Sequence, residues 1–266
     1  MKKIRTILRK EWAEVFKNRM VFFTVAFLPL LLTAIPLVVL ATMRDSLNTP
    51  GFSTDLPPEA TETFCQGANL GSADCLQVFL VSQFMLMFMV IPVAIPVTMA
   101  AYSIVGEKTT RSLEPLLATP ITTLELLVGK SLAAVIPAVL ATFAAFGLFA
   151  LGSWGIVGGQ RALFAALFAP RWLIAIFVVG PLLALLAVIF ALMVSSRVND
   201  PRVAEQISMV IIVPVLVGLF GQMAGFFVLN TRVIALVALV MLCLDAFLFY
   251  LAGEIFQRES ILTRWK

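Results

Sequence analysis

Six predominantly apolar stretches of about twenty residues or more lie at 20–43, 76–105, 124–151, 172–195, 203–228 and 233–251. A helix needs about 20 apolar residues to cross roughly 30 Å of hydrocarbon. Apart from Lys130, near the start of the third stretch, none of them holds Lys or Arg. Residues 182–194 are apolar on every side, so the alternation that a membrane β-barrel needs is missing. The pattern predicts an all-α polytopic membrane protein of six transmembrane helices, a single domain over 1–266.

Two segments outside the spans carry a helical period of their own. In residues 1–19, Ile4, Ile7, Leu8, Trp12, Val15 and Phe16 recur at helical spacing with Lys and Arg between them. This predicts an amphipathic helix in the membrane interface, with Trp12 at headgroup depth. The basic region is too long, and the apolar run behind it too complete, for a cleavable signal peptide. Between the second and third spans, Leu113, Leu116 and Leu117 stand at i, i+3, i+4 with Arg111 and Glu114 beside them. That is one apolar face of a short helix, with Pro115 falling in its first turn, where the missing N–H is harmless. After Pro120, Thr122-x-x-Glu125 has the form of a capping box and should start the third span sharply.

Every span but the last holds proline: Pro29 and Pro36, Pro92 and Pro96, Pro137, Pro181, Pro214. Proline removes a backbone donor and kinks a helix. The second span, with two prolines four apart around residues 93–95, is the best candidate for a bending element. The fifth span and the glycine-rich 218–230 that ends it are longer than a straight crossing needs. A kinked helix closing in a short re-entrant turn and a single tilted helix both account for the excess.

Charge sets the orientation. Of the 19 Lys and Arg residues, only Arg44, Arg161, Arg171 and Arg232 fall on the side opposite the N-terminus. Positive residues favour the cytoplasmic side, so both termini are expected inside. The net charge of +4 then reflects membrane topology rather than a nucleic-acid surface. The first outer loop, 44–75, is acidic and contains Cys65 and Cys75, on the side where oxidation occurs. A disulfide there would add roughly 2–3 kcal/mol; two free thiols are the alternative. The chain has no His, which removes His-based triads, His-containing zinc sites and His general bases. Gly129-Lys130-Ser131 lacks the earlier glycine and the preceding strand of a phosphate-binding loop, so Lys130 reads as an interfacial anchor. No metal, cofactor or catalytic residue is expected in this chain.

Strongly polar residues within the spans are Gln83, Gln222 and Asp245, a candidate polar route. An intramembrane carboxylate is a functional position by default. Pairing of Asp245 with an interfacial cation is the competing reading. Glu205, in the first turn of the fifth span, is expected to be hydrated at the interface.

The run from Gly106 through Glu107, TTRSLE, PLLATP, Leu124, Glu125, Gly129 and Lys130 resembles the type-2 ABC exporter (ABC-2 type) permeases. The C-terminal FQRESILTRWK, the basic entry helix and the six-span layout are similar to the same family, so the resemblance covers nearly the whole chain. Within it the chain looks closest to the sodium-efflux and multidrug permease branch, but a loop of about thirty residues, counted between the spans, replaces the large outer domain of bigger members. The resemblance implies a half-transporter in the plasma membrane of a prokaryote: two permease copies, or one plus a paralogue, with two separate ATPase subunits that bind ATP and Mg. It also implies that the loop after the second span is a cytoplasmic coupling helix, with Glu107, Arg111, Leu113, Glu114, Leu116 and Leu117 at the ATPase. Glu107 is expected to fix that loop to Arg197 or Arg202. A sodium-efflux permease and a non-transporting membrane scaffold or assembly protein remain as alternatives. Apolar cavity walls suit lipids, drugs or peptides without naming one.

Overall fold

The computed structural model describes residues 2–15, 17, 19–47, 72–109, 122–158, 161–224, 226 and 229–255. Among these, α1 is Lys2–Val15 and α2 is Arg19–Leu47, the first long apolar helix. The second span consists of α3 (Ser72–Phe88) and α4 (Ile91–Thr109), and the third is α5 (Thr123–Val157). Then come α6 (Arg161–Leu167), α7 (Pro170–Ile174), a π-helical segment (Ala175–Val179) and α8 (Gly180–Arg197), which form the fourth. The fifth is α9 (Pro201–Ser208), a 3₁₀ turn (Met209–Ile211) and α10 (Ile212–Met223); the sixth is α11 (Thr231–Ile255). Six of these helical runs are long and apolar enough to cross a membrane, and the protein is a multi-pass, all-α membrane protein.

Helix ends follow local chemistry. The Thr122 hydroxyl accepts from the Glu125 amide at 3.2 Å, and the Glu125 carboxylate accepts from the Thr122 amide at 3.0 Å. This is the reciprocal capping box, and it fixes where α5 begins. Gly158, at φ 71°, closes α5 in the left-handed region where glycine carries no Cβ penalty. Asp200 accepts from the Arg202 amide at 2.7 Å ahead of Pro201, and Asn230 accepts from the Val233 amide at 2.9 Å.

The second span breaks, though not at residues 93–95. The amides of Met89 and Val90 turn back to the carbonyls of Leu86 and Met87, and Pro92 falls in the first turn of α4. There its missing donor leaves nothing unsatisfied, so the irregularity precedes the proline. In the fourth span the π-helical segment likewise ends just before Pro181, with the Gly180 amide reaching back to Ala175 O. The helices that follow the two irregular segments approach at their starts: a Cβ built on Gly180 would lie 4.0 Å from Cγ of Pro92. The fifth span has its 3₁₀ turn ahead of Pro214, and its helix stops at Met223, short of residue 228. Residues 225, 227 and 228 lie outside the described set, and with them the expected re-entrant turn.

Packing centres on α4, α5 and α8, with α2 against α5 and α11 against α8. The second span is the most enclosed, 72% of its apolar window being buried, against 11% for the fifth and sixth. Those two spans turn Val217, Phe220, Leu236, Leu239 and Phe247 outward. Such surface is costly in water and compatible with hydrocarbon. At the break, the fully buried Phe88 meets Phe149 of α5 with centroids 5.3 Å apart. Truncating a buried Phe costs roughly 3–5 kcal/mol. Phe88→Ala should therefore lower the thermal unfolding temperature in detergent, and Phe149→Ala combined with it should add less than its own single effect.

Candidate functional site

Where α1 crosses α4 and α5, three ionised side chains are buried together. Lys130 of α5 places its ammonium 2.8 Å from Glu11 Oε1 and 2.9 Å from Glu107 Oε2. All three are at most 4% exposed. Ser103 of α4 closes the group: its hydroxyl lies 2.7 Å from Lys130 Nζ and donates to Glu11 Oε2 at 2.7 Å. Lys10 sits on the solvent side, hydrogen-bonded to Glu107 Oε1 and 3.8 Å and 3.5 Å from the carboxylates of Glu11 and Glu14. Two lysines thus face two buried glutamates, with Glu14 at the exposed rim.

The sequence places these groups by helix period and by close approach. Ile7 and Glu11 are one turn apart on the face of α1 that packs on α5. A Cβ on Gly129 would lie 2.8 Å from Ile7 Cγ2 and 3.1 Å from Ile7 Cβ, so the helices meet where α5 has no side chain. Next to Glu11 on α1, the Trp12 indole donates to Ala133 O of α5 at 2.9 Å. Trp12 is therefore docked on the third span. At the other end of α1, Lys3 reaches the Glu125 carboxylate at 3.3 Å.

Two expectations are corrected here. Lys130 is a buried hub rather than an interfacial anchor. Glu107 pairs with Lys10 and Lys130 rather than with Arg197 or Arg202, because packing of α1 onto α4 and α5 delivers nearer cations. Sequence reasoning missed Glu11, Lys10 and Ser103. The available signal was an acid on the apolar face of a basic helix, at i+4 from Ile7.

Elsewhere the predicted positions divide. Arg111, Leu113, Glu114, Leu116 and Leu117 lie outside the described residues, as does Cys65. Cys75 is disulfide-bonded, and Cys243 is free and exposed. Gln83 and Gln222 are buried on α3 and α10, two helices that pack together. Asp245 is also buried, on α11, which packs chiefly against α8; its carboxylate oxygens accept no hydrogen bond from the described residues. Glu205 accepts from Thr98 of α4 at 2.7 Å, so it is engaged with the second span instead of being left to water.

The carboxylates of Glu11, Glu14 and Glu107 approach within 4.8 Å of one another, a spacing that could hold a cation. The ammonium of Lys10 contacts all three and that of Lys130 contacts two, so the positive charge such a cluster requires is supplied by the protein. Burial works against the Glu11 carboxylate, but the charge and hydrogen bond of Lys130, with the Ser103 hydroxyl, outweigh it and hold its pKa below the usual 4.5. Burial likewise opposes the Lys10 charge and is outweighed by Glu107, so its pKa rises above 10.5.

Because Glu11 is depressed in the folded state, its contribution is complete above pH 4.5 and is lost as pH falls through the lower folded value. Acidification in that window should release α1, read as new pepsin cleavage within residues 2–15; Glu11→Gln should remove the transition. Gly129→Ala should loosen α1 at neutral pH, since the added methyl meets the branched Cβ of Ile7 instead of a flexible chain end. Trypsin, which is active at neutral pH, should then cut faster at the Lys and Arg of residues 2–15 than in the parent.

No curated protein matches this chain. The family described as ABC-2 family transporter protein matches residues 5–252, a span that contains α1 from its fourth residue on, the buried ion network and all but the end of the sixth apolar helix. The chain belongs to the ABC-2 transporter family.

Proposed function

We propose that this chain is the permease subunit of an ATP-driven exporter, working with separate ATPase subunits in a complex of two permeases. The supporting observation is how charge is distributed over the bundle. The described residues carry their ion pairs at one face, where α1, the end of the second span and the start of the third converge. This face is the cytoplasmic one if positive residues mark the inside. It frames the segment between Glu107 and Thr122, whose sequence suits a coupling helix.

In this reading the chain binds and conducts, and hydrolysis happens in the partner, which holds ATP and Mg. Gln83 and Gln222, buried on packed helices, and Asp245, buried on α11, are its candidate polar positions. Substrate leaves the cytoplasm across a prokaryotic plasma membrane with both termini inside.

Affinity purification of the full chain from its native membrane should bring down an ATPase subunit in equal amount. Leu117→Asp should reduce that recovery at unchanged expression, since burying an unpaired carboxylate in an interface costs several kcal/mol. Recovery of the chain without any ATPase would contradict the reading and favour a scaffold.

A further inference from the structure

The N-terminal helix touches both helix ends that border the segment 110–121. Glu107 stands two residues before α4 ends at Thr109, and it is held by Lys10 of α1 and by Lys130. Glu125 lies in the first turn of α5, caps Thr122, and is held by Lys3 of α1. Lys3 and Lys10 are seven residues apart, or roughly 10.5 Å along a helix at 1.5 Å per residue. One rigid helix therefore bridges the end of the second span and the start of the third. It is fastened between those ion pairs by Ile7 against Gly129, and beyond them by the Trp12 hydrogen bond to Ala133.

The arrangement differs from simple apolar packing. A helix held only by its apolar face can rock over a smooth surface, because dispersion contacts are weak and non-directional. Here the contacts are directional and charge-assisted, and each sits at a helix end. Glu125 also performs two tasks at once, closing the cap of α5 and receiving Lys3. Displacing α1 would consequently disturb the cap as well as the pair.

We propose that α1 is a strap that sets the relative position of the end of the second span and the start of the third, with Lys3 and Lys10 as its positioning residues and Lys130 as the fixed post. The proposal rests on the permease reading for its consequence: nucleotide-driven force entering between these helix ends is shared with α1. Its geometry stands independently of that reading.

The test places spin labels at Gly106→Cys and Leu124→Cys in a Cys243→Ala background of the full chain in nanodiscs. A Cβ at Gly106 meets nothing within 4 Å, and Leu124 is exposed, so both positions accept a label. Cys75 is disulfide-bonded and does not compete. Dipolar broadening should give a narrow distance distribution in the parent. Lys3→Gln with Lys10→Gln should broaden and shift it, and Lys3→Arg with Lys10→Arg should restore the parent distribution. With the copurified ATPase present, the Gln variant should keep the subunit bound and lower permease-dependent ATP turnover, by roughly two- to fivefold per lost pair. A parent-like distribution in the Lys3→Gln, Lys10→Gln chain would overturn the strap. Turnover unchanged while the distances change would overturn its role in coupling. Absence of any ATPase would instead count against the permease reading and leave the distance result standing.

Discussion

Lys130 cannot be buried alone. Moving one ammonium out of water costs several kcal/mol even after relaxation, and the same holds for each of the two carboxylates it meets. Glu11 comes from α1, Glu107 from α4 and Lys130 from α5, so the charges are tolerable only when all three helices are in place together. That makes one end of the bundle cooperative. The second and third spans can tilt or separate elsewhere, but near Glu107 and Lys130 each move exposes a charge. Ser103 takes the second oxygen of Glu11 and Lys10 one oxygen of Glu107, while Glu107 Oε2 meets the Lys130 ammonium at 2.9 Å by charge alone, with no hydrogen bond from the described residues. Contact at Gly129 lets the charges come this close, because any side chain there would hold α1 off the third span.

Away from that end the bundle is built differently. The second span is interrupted at Met89 and Val90, and the fourth carries a π-helical segment at Ala175–Val179, with Gly180 set against Pro92. Irregular turns of this kind are frequent where helices must flex or bind. The bundle therefore combines an ionic, ordered end with a middle in which two central spans depart from regular geometry. The fifth and sixth spans are mostly apolar surface. Force applied at the ionic end would be carried by intact α4 and by α5 toward the irregular turns.

Much of this was legible in the chain. The six spans follow from length and apolarity, since hydrocarbon leaves few other arrangements, and the observed helices overlap each expected stretch. The capping box at Thr122 was legible because it involves residues three apart. The ion network was not. Topology suggested Arg197 or Arg202 for Glu107, whereas its partners arrive by packing of α1, which no local pattern encodes. Glu11 was hidden for the same reason, one of two acids among the bases of an amphipathic helix. The break in the second span was anticipated from Pro92 and Pro96, but its position was not. A proline in a first turn is harmless, and the irregularity moves to the residues before it.

The central claim is that Lys130 is buried beneath α1 rather than anchored at the membrane surface. Its reactivity toward a water-soluble amine reagent, followed residue by residue by mass spectrometry on the protein in nanodiscs, tests this directly. Lys3 is half-exposed and Lys17 exposed, so both should be modified readily while Lys130 is protected. Removing residues 2–15 should bring Lys130 to a reactivity near that of Lys17. Modification of Lys130 in the intact chain at the rate of Lys17 would contradict the account.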